Sequence, residues 1–127
     1  MRLAQEGARV IATDISGPRL QQLSAELPTL GFVTVAGDVS TQATVGAVLE
    51  AAQGLVDGLA NVAGIMDGFL PPADIEDEIW QRVMDVNVTA IMRLTRAVFP
   101  AMIRAGYGSI VNVTSEASLR GSAAGAA

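Results

Sequence analysis

The chain contains no cysteine, no histidine and no lysine, and all eight of its basic residues are arginines. Without cysteine there is no disulfide, no thiol nucleophile and no cysteine-based zinc site. Without histidine the commonest general base and metal ligand is missing. Without lysine there is no Walker phosphate loop and no Schiff base. Charge of one sign is also short: the net charge is −5 with the acids scattered, which argues against nucleic acid or an anionic membrane surface as partner. Long hydrophobic runs are lacking too. The most apolar helical stretch, Val86 to Ile103, is interrupted by Arg93 and Arg96 and reads as too broken to span a bilayer. The first residues show no apolar core of a signal peptide. A cytoplasmic protein without a membrane partner is therefore expected.

What remains is 127 residues, half of them hydrophobic, enough for one domain or a piece of one. Residues 2–8 read as the end of an amphipathic helix closing at Gly7. Arg9 to Thr13 is a short buried strand ending at Asp14. Ser16 or Gly17 can cap the next helix, with Pro18 in its first turn and Leu20, Leu23 and Leu27 on one face. Pro28 to Gly31 is a loop. Phe32 to Ala36 is a second strand, and Ser40 or Thr41 opens a helix that turns Val45, Val48, Leu49 and Ala52 inward and ends at Gly54.

Val56 to Val62 is a third strand, apolar enough for a covered parallel sheet. A loop over 65–73 leads to a long helical region. Its apolar positions, Ile79, Trp80, Val83, Met84, Val88, Ile91, Met92, Thr95, Val98, Phe99 and Met102, keep helical spacing, and Pro100 is expected to kink or loosen its last turns. Ser109 to Val113 is the fourth strand, after a turn at Tyr107-Gly108. Helices and strands alternate strictly, which predicts a parallel sheet covered by helices on both faces.

The polar residues that matter sit where strands end. Asp14 closes the first strand; a carboxylate there can accept both hydroxyls of a ribose and repels a 2′-phosphate, or it simply starts the following helix. Asp38-Val39 follows the second strand, where the aspartate can equally cap the next helix. Asn61-Val62-Ala63-Gly64 ends the third strand, and its small residues let another molecule approach the backbone closely. Asn87 lies inside the long helical region, an unfavourable place for asparagine unless its amide is used. Ser115 presents a hydroxyl beyond the fourth strand, with Thr114 as neighbour and competitor. The acids Asp74, Glu76, Asp77 and Glu78 read as a solvated helix start and not as a metal site.

Taken in register, Asp14, Asp38-Val39, Asn61-Val-Ala-Gly64, Asn87 and Ser115 resemble the middle half of the short-chain dehydrogenase/reductase family. The resemblance implies a Rossmann-type doubly wound parallel sheet, with residues 1–127 forming part of its dinucleotide-binding domain. It implies NAD-dependent interconversion of an alcohol and a ketone or aldehyde, with NADP disfavoured by Asp14. Asp14, Asp38, Val39, Asn61, Ala63 and Gly64 would line the cofactor, with Asp38 meeting the adenine amino group and Val39 packing beside it. Asn87 and Ser115 would be the catalytic pair, Asn87 holding a water in a locally distorted helix and Ser115 bonding the substrate oxygen. Full-length relatives are expected to form homo-oligomers through the Asn87 helix.

The sequence departs from the family pattern in three ways. Val62 replaces the second asparagine of Asn-Asn-Ala-Gly, leaving a sheet-stabilising amide to be found elsewhere. The first strand with its glycine-rich turn, expected between the Asp14 and Asn61 strands, is not matched. The Tyr-x-x-x-Lys segment is not matched either, and family spacing would place its tyrosine just beyond Ala127. Tyr107, in a turn with no lysine near it, is not that residue. A fragment with little activity and marginal stability is expected. The alternatives are a non-catalytic nucleotide-binding or interaction module and a degenerate gene product.

Overall fold

The computed structural model describes residues 2–28 and 32–119. Most of the loop read at Pro28–Gly31, and the small-residue tail from Arg120 onward, lie outside the described residues. The chain divides into two compact units, Met1–Val56 and Asp57–Ala127.

In the first unit a short helix α1 (Arg2–Gln5) is followed by β1 (Val10–Asp14), α2 (Gly17–Glu26), β2 (Phe32–Ala36) and α3 (Gln42–Ala52). Gly7 takes φ +91°, the left-handed turn that ends α1. Ser16 caps α2 by accepting from the Arg19 N–H at 3.4 Å, with Pro18 in the first turn where a missing donor costs nothing. Thr41 caps α3 by accepting from the Thr44 N–H at 3.3 Å. That helix ends on Gln53 in left-handed conformation, one residue before Gly54. β1 and β2 run parallel, from Val10 opposite Phe32 to Asp14 opposite Ala36, and both helices pack on them. Leu20, Val45 and Ala52 are buried as the spacing predicts, joined by Val39 and Ala4.

The second unit holds β3 (Gly58–Asn61), a single 3₁₀ turn at Pro72–Asp74, α4 (Asp77–Met84), a π-helical turn at Asp85–Thr89, α5 (Ala90–Ala105) and β4 (Ser109–Asn112). A second 3₁₀ turn, Glu116–Leu119, follows β4. β3 and β4 are parallel, Gly58 opposite Ser109 and Asn61 opposite Asn112. Among the described residues the four strands thus form two two-stranded sheets, one in each unit.

From α4 to α5 the chain is one continuous helical rod, Asp77–Ala105, whose length and apolar content suffice for a membrane span, contrary to the reading of Val86–Ile103 as too interrupted. Val83, Val86, Ala90, Leu94, Val98 and Met102 are nevertheless buried as one stripe at steps of three and four. The larger of these, the valines, Leu94 and Met102, contribute about 1.5–3 kcal/mol each. Arg93 and Arg96 would each cost about 2.5–3.5 kcal/mol at a bilayer centre. The buried stripe and the arginines fit a helix packed within its own unit.

Of the apolar positions at helical spacing, Val83, Val98 and Met102 are buried, while Trp80, Val88, Met92 and Phe99 are exposed, as is Ile103. The helix is apolar on two sides, so periodicity alone could not say which side is buried. Pro100 lies inside α5 without ending it; the helix continues to Ala105 and stops at Gly106, φ +74°. Gly108 then has no room for a side chain, because a Cβ there would stand 2.5 Å from the Cγ and Sδ of buried Met102.

The amino ends of β3 and β4 are joined by side chains as well as backbone. The Ser109 N–H donates to the Asp57 carbonyl at 3.0 Å. The Tyr107 hydroxyl donates to the Asp57 carboxylate, and this bond is the main reason its pKa lies above the ordinary 10.0; slight desolvation and the charge of the same carboxylate add to it. Tyr107 thus sits at the end of the strands opposite Asn61 and Asn112, one strand length of about 13 Å away. Nearby, an open apolar depression of about 490 Å³ is lined by Phe99, Met102, Ile103, Tyr107 and Ile110. None of the described residues that line it is a charged one.

Tyr107 is the only tyrosine, so its titration can be read alone from phenolate absorbance. The Asp57→Asn variant is expected to bring its pKa back toward 10, and an unchanged midpoint would show that Asp57 is not the cause. The linkage follows from the raised value: the bond stabilises the fold below pH 10, and that contribution is lost as pH climbs through the folded-state pKa.

Candidate functional site

Parallel strands bring their carboxyl ends to one edge of a sheet, and that edge carries the predicted residues in each unit. In the first unit the Gly37 N–H donates to the Asp14 carbonyl at 3.0 Å, tying the loop after β2 to the end of β1. Asp14 Oδ1 accepts from the Ser16 N–H at 2.7 Å, while Oδ2 has no hydrogen bond among the described residues. Asp38 Oδ1 accepts from the Ser40 N–H at 2.9 Å and from Ser40 Oγ at 2.7 Å. Each aspartate therefore closes a tight turn just before the helix caps Ser16 and Thr41. Val39 is buried in the interior of this unit.

In the second unit Asn61 is buried at the end of β3, and its Nδ2 donates to Asn112 Oδ1 across the sheet at 2.9 Å. This amide bridge answers the question raised by Val62, which is itself exposed: the sheet-tying amide is Asn61, and its partner is Asn112. Asn61 Oδ1 is buried with no hydrogen-bond partner among the described residues, at a cost of about 1–3 kcal/mol. Ala63 and Gly64 follow as small exposed residues.

Asn87 lies in the π-helical turn, where the helix widens by one residue. Its Oδ1 accepts from the Ile65 N–H and its Nδ2 donates to the Ile65 carbonyl, both at 2.9 Å. Asn87 is therefore brought together with the Asn61–Gly64 strand end; a Cβ on Gly64 would stand 3.5 Å from its Oδ1. Ser115 is exposed, three residues beyond β4, and β4 ends beside Asn61. The Val113 N–H donates to the Asn61 carbonyl at 2.9 Å, which fixes the start of the segment that carries Ser115.

Beyond Ile65 the loop holds a feature that hydrophobic periodicity does not reveal. Asp67 is buried, and its carboxylate accepts from the Phe69 N–H at 2.9 Å. Gly68 and Phe69 both take left-handed conformations, φ +80° and +61°. For a residue with a side chain this costs about 1–2 kcal/mol. Asn112, too, escaped the sequence reading, because an asparagine inside a strand announces no cross-strand partner.

Over residues 1–127 the sequence matches the family model described as short chain dehydrogenase. The chain belongs to the short-chain dehydrogenase family. It is 39% identical over 125 residues to the short chain dehydrogenase ausX of Aspergillus calidoustus, covering 95% of this chain and 47% of that protein. It is 38% identical to the asnovolin H dehydrogenase nvfC of Aspergillus novofumigatus, covering 96% of this chain and 48% of that one. The chain thus spans about half the length of the curated relatives it matches.

Among solved structures, a metagenomic short-chain oxidoreductase in complex with NADP superposes with a TM-score of 0.89 at 33% identity, over 98% of this chain and 59% of the other. An NAD⁺-bound xylitol dehydrogenase gives 0.87 at 31%, over 96% and 49%. The fold is accordingly the Rossmann-type α/β arrangement. One of these two neighbours holds NADP and the other NAD⁺, so they do not separate the two cofactors for this chain.

The Asn87 clamp makes a specific prediction. Asn87→Ala removes both bonds to Ile65 and is expected to lower stability by about 1–3 kcal/mol, with faster amide hydrogen exchange at Ile65. Asn87→Asp keeps the acceptor and should keep that amide protected. Equal exchange at Ile65 in the wild type and the alanine variant would show that the clamp does not hold the loop.

Proposed function

We propose that this chain is the part of an NAD-dependent oxidoreductase that carries the adenosine-binding strand ends and two residues of the catalytic site. The whole enzyme would interconvert an alcohol and a ketone or aldehyde in the cytoplasm. The observation that supports this best is the placement of Asp14, Asp38 and the Asn61–Gly64 segment at the carboxyl ends of parallel strands. Asp14 Oδ2 is left to accept ribose hydroxyls, and a carboxylate there disfavours a 2′-phosphate. The exposed Ala63 and Gly64 beside the orphaned Asn61 oxygen fit close approach of a dinucleotide. When bound, the nicotinamide would supply hydride transfer to or from the carbinol carbon.

Within that site Asn87 acts as a positioning residue through Ile65, in a helix widened where a water is expected, and Ser115 donates to the substrate oxygen. The proton step has no tyrosine–lysine pair among these residues: there is no lysine, and Tyr107 is engaged at the far end of the strands. The chain alone is therefore expected to bind without turning over. The exposed stripe of Trp80, Val88, Met92 and Phe99 supports association of copies through the Asn87 helix, since contiguous apolar surface of this kind marks an interface.

Two measurements test these readings. Fluorescence titration should give saturable NADH binding, and Asp14→Asn should shift the NADPH-to-NADH affinity ratio by at least about tenfold toward NADPH. Failure to bind either dinucleotide would refute the cofactor assignment. Sedimentation velocity at rising concentration should show association that Met92→Glu abolishes. Equal association of both proteins would remove the helix from the interface.

A further inference from the structure

Resting on the oxidoreductase reading, we infer that the Asp67–Gly68–Phe69 turn is a prebuilt specificity element that holds the Phe69 ring against a bulky apolar group of the substrate. The turn is constructed and not merely permitted. Two successive residues take left-handed backbone, and the Phe69 N–H is held by Asp67 Oδ1 at 2.9 Å. Asp67 itself is only 4% exposed, so the acid faces inward and its charge is withheld from the surface. Glycine would adopt the backbone of position 69 without strain, whereas phenylalanine does not. Strain of this kind persists where the surrounding structure enforces it, and it clusters at ligand sites.

Among the described residues, packing does not account for the choice of residue. The Phe69 side chain is 63% exposed, and Met66, three residues earlier, 61%. Among the described residues the other left-handed one with a side chain, Gln53, has the ordinary explanation of ending a helix, and Phe69 ends none.

Location supplies the link to chemistry. The turn starts from Ile65, whose N–H and carbonyl are both gripped by Asn87. Phe69 is four residues farther on, so its backbone lies within about 14 Å of Ile65 even for a fully extended chain. The left-handed turn shortens that reach. A substrate whose reacting carbon lies near Asn87 would extend past this rim, where Met66 and Phe69 offer apolar surface and the one acid is buried. Such a rim suits a hydrocarbon ring better than a polyol, whose hydroxyls it would leave without partners.

The test uses the full chain with saturating NADH and two probe ketones, 2-tetralone and dihydroxyacetone, with binding read by ligand-observed NMR. The variant is Phe69→Gly, which removes the ring and relieves the backbone, so it should melt no lower than the wild type. The wild type should prefer 2-tetralone, and Phe69→Gly should bind it about tenfold more weakly while NADH affinity stays unchanged. Phe69→Leu, which retains apolar bulk, should recover part of the loss. Preference for dihydroxyacetone, or equal 2-tetralone binding by wild type and Phe69→Gly, would overturn the inference and leave the cofactor reading standing. Absence of NADH binding would overturn both.

Discussion

One side-chain amide on a helix grips one residue of a loop by both of its backbone polar groups. Asn87 does this to Ile65, and the candidate site of the second unit depends on it. A loop leaving a parallel strand has no ladder partner to fix its path, so its N–H and C=O groups must be satisfied some other way. A π-helical turn supplies the means: widening the helix by one residue accompanies an amide that reaches out of the rod and not along it. The cost of an asparagine in a helix is offset by the order it imposes on the backbone just after Gly64.

The same economy of amides recurs at the strand end. Asn61 ties β3 to β4 through Asn112, and the two strands are short, four residues each. Few ladder bonds hold so short a pair, so a buried amide bridge and the Val113–Asn61 backbone bond form a substantial part of what sets its register at the carboxyl end. At the amino end the backbone bond from the Ser109 N–H to the Asp57 carbonyl has the corresponding task. The sheet is thus pinned at both ends by polar contacts while Val83 to Met102 provide the apolar core of the unit.

Much of this was legible in the residues. Strand ends, caps and the α/β alternation follow from local rules, because Ser16, Thr41 and Gly7 have few other uses at their positions. The strand-end residues could be read because parallel topology sends them all to carboxyl edges. The buried face of the long helix could not, since apolar residues line two sides and only the three-dimensional partner chooses between them. Nor could Asp67, Phe69 or Asn112: their importance lies in a backbone angle or a cross-strand distance, neither of which leaves a periodic trace. Pro100 lies inside α5, which continues to Ala105 despite one missing donor.

The contact between Gly108 and Met102 has a consequence for how the chain ages. A thioether is easily oxidised to a polar sulfoxide, but only where oxidant can reach it. Met66 and Met92 are exposed at 61% and 48%, while Met102 is exposed at only 7%. The first two will be modified in the folded protein, and Met102 only after the second unit has opened. Once oxidised, Met102 must carry an extra oxygen into a space already too small for one more carbon at Gly108. That unit would then be hindered from closing again, so a sulfoxide at this position is a chemical record that the unit once came apart.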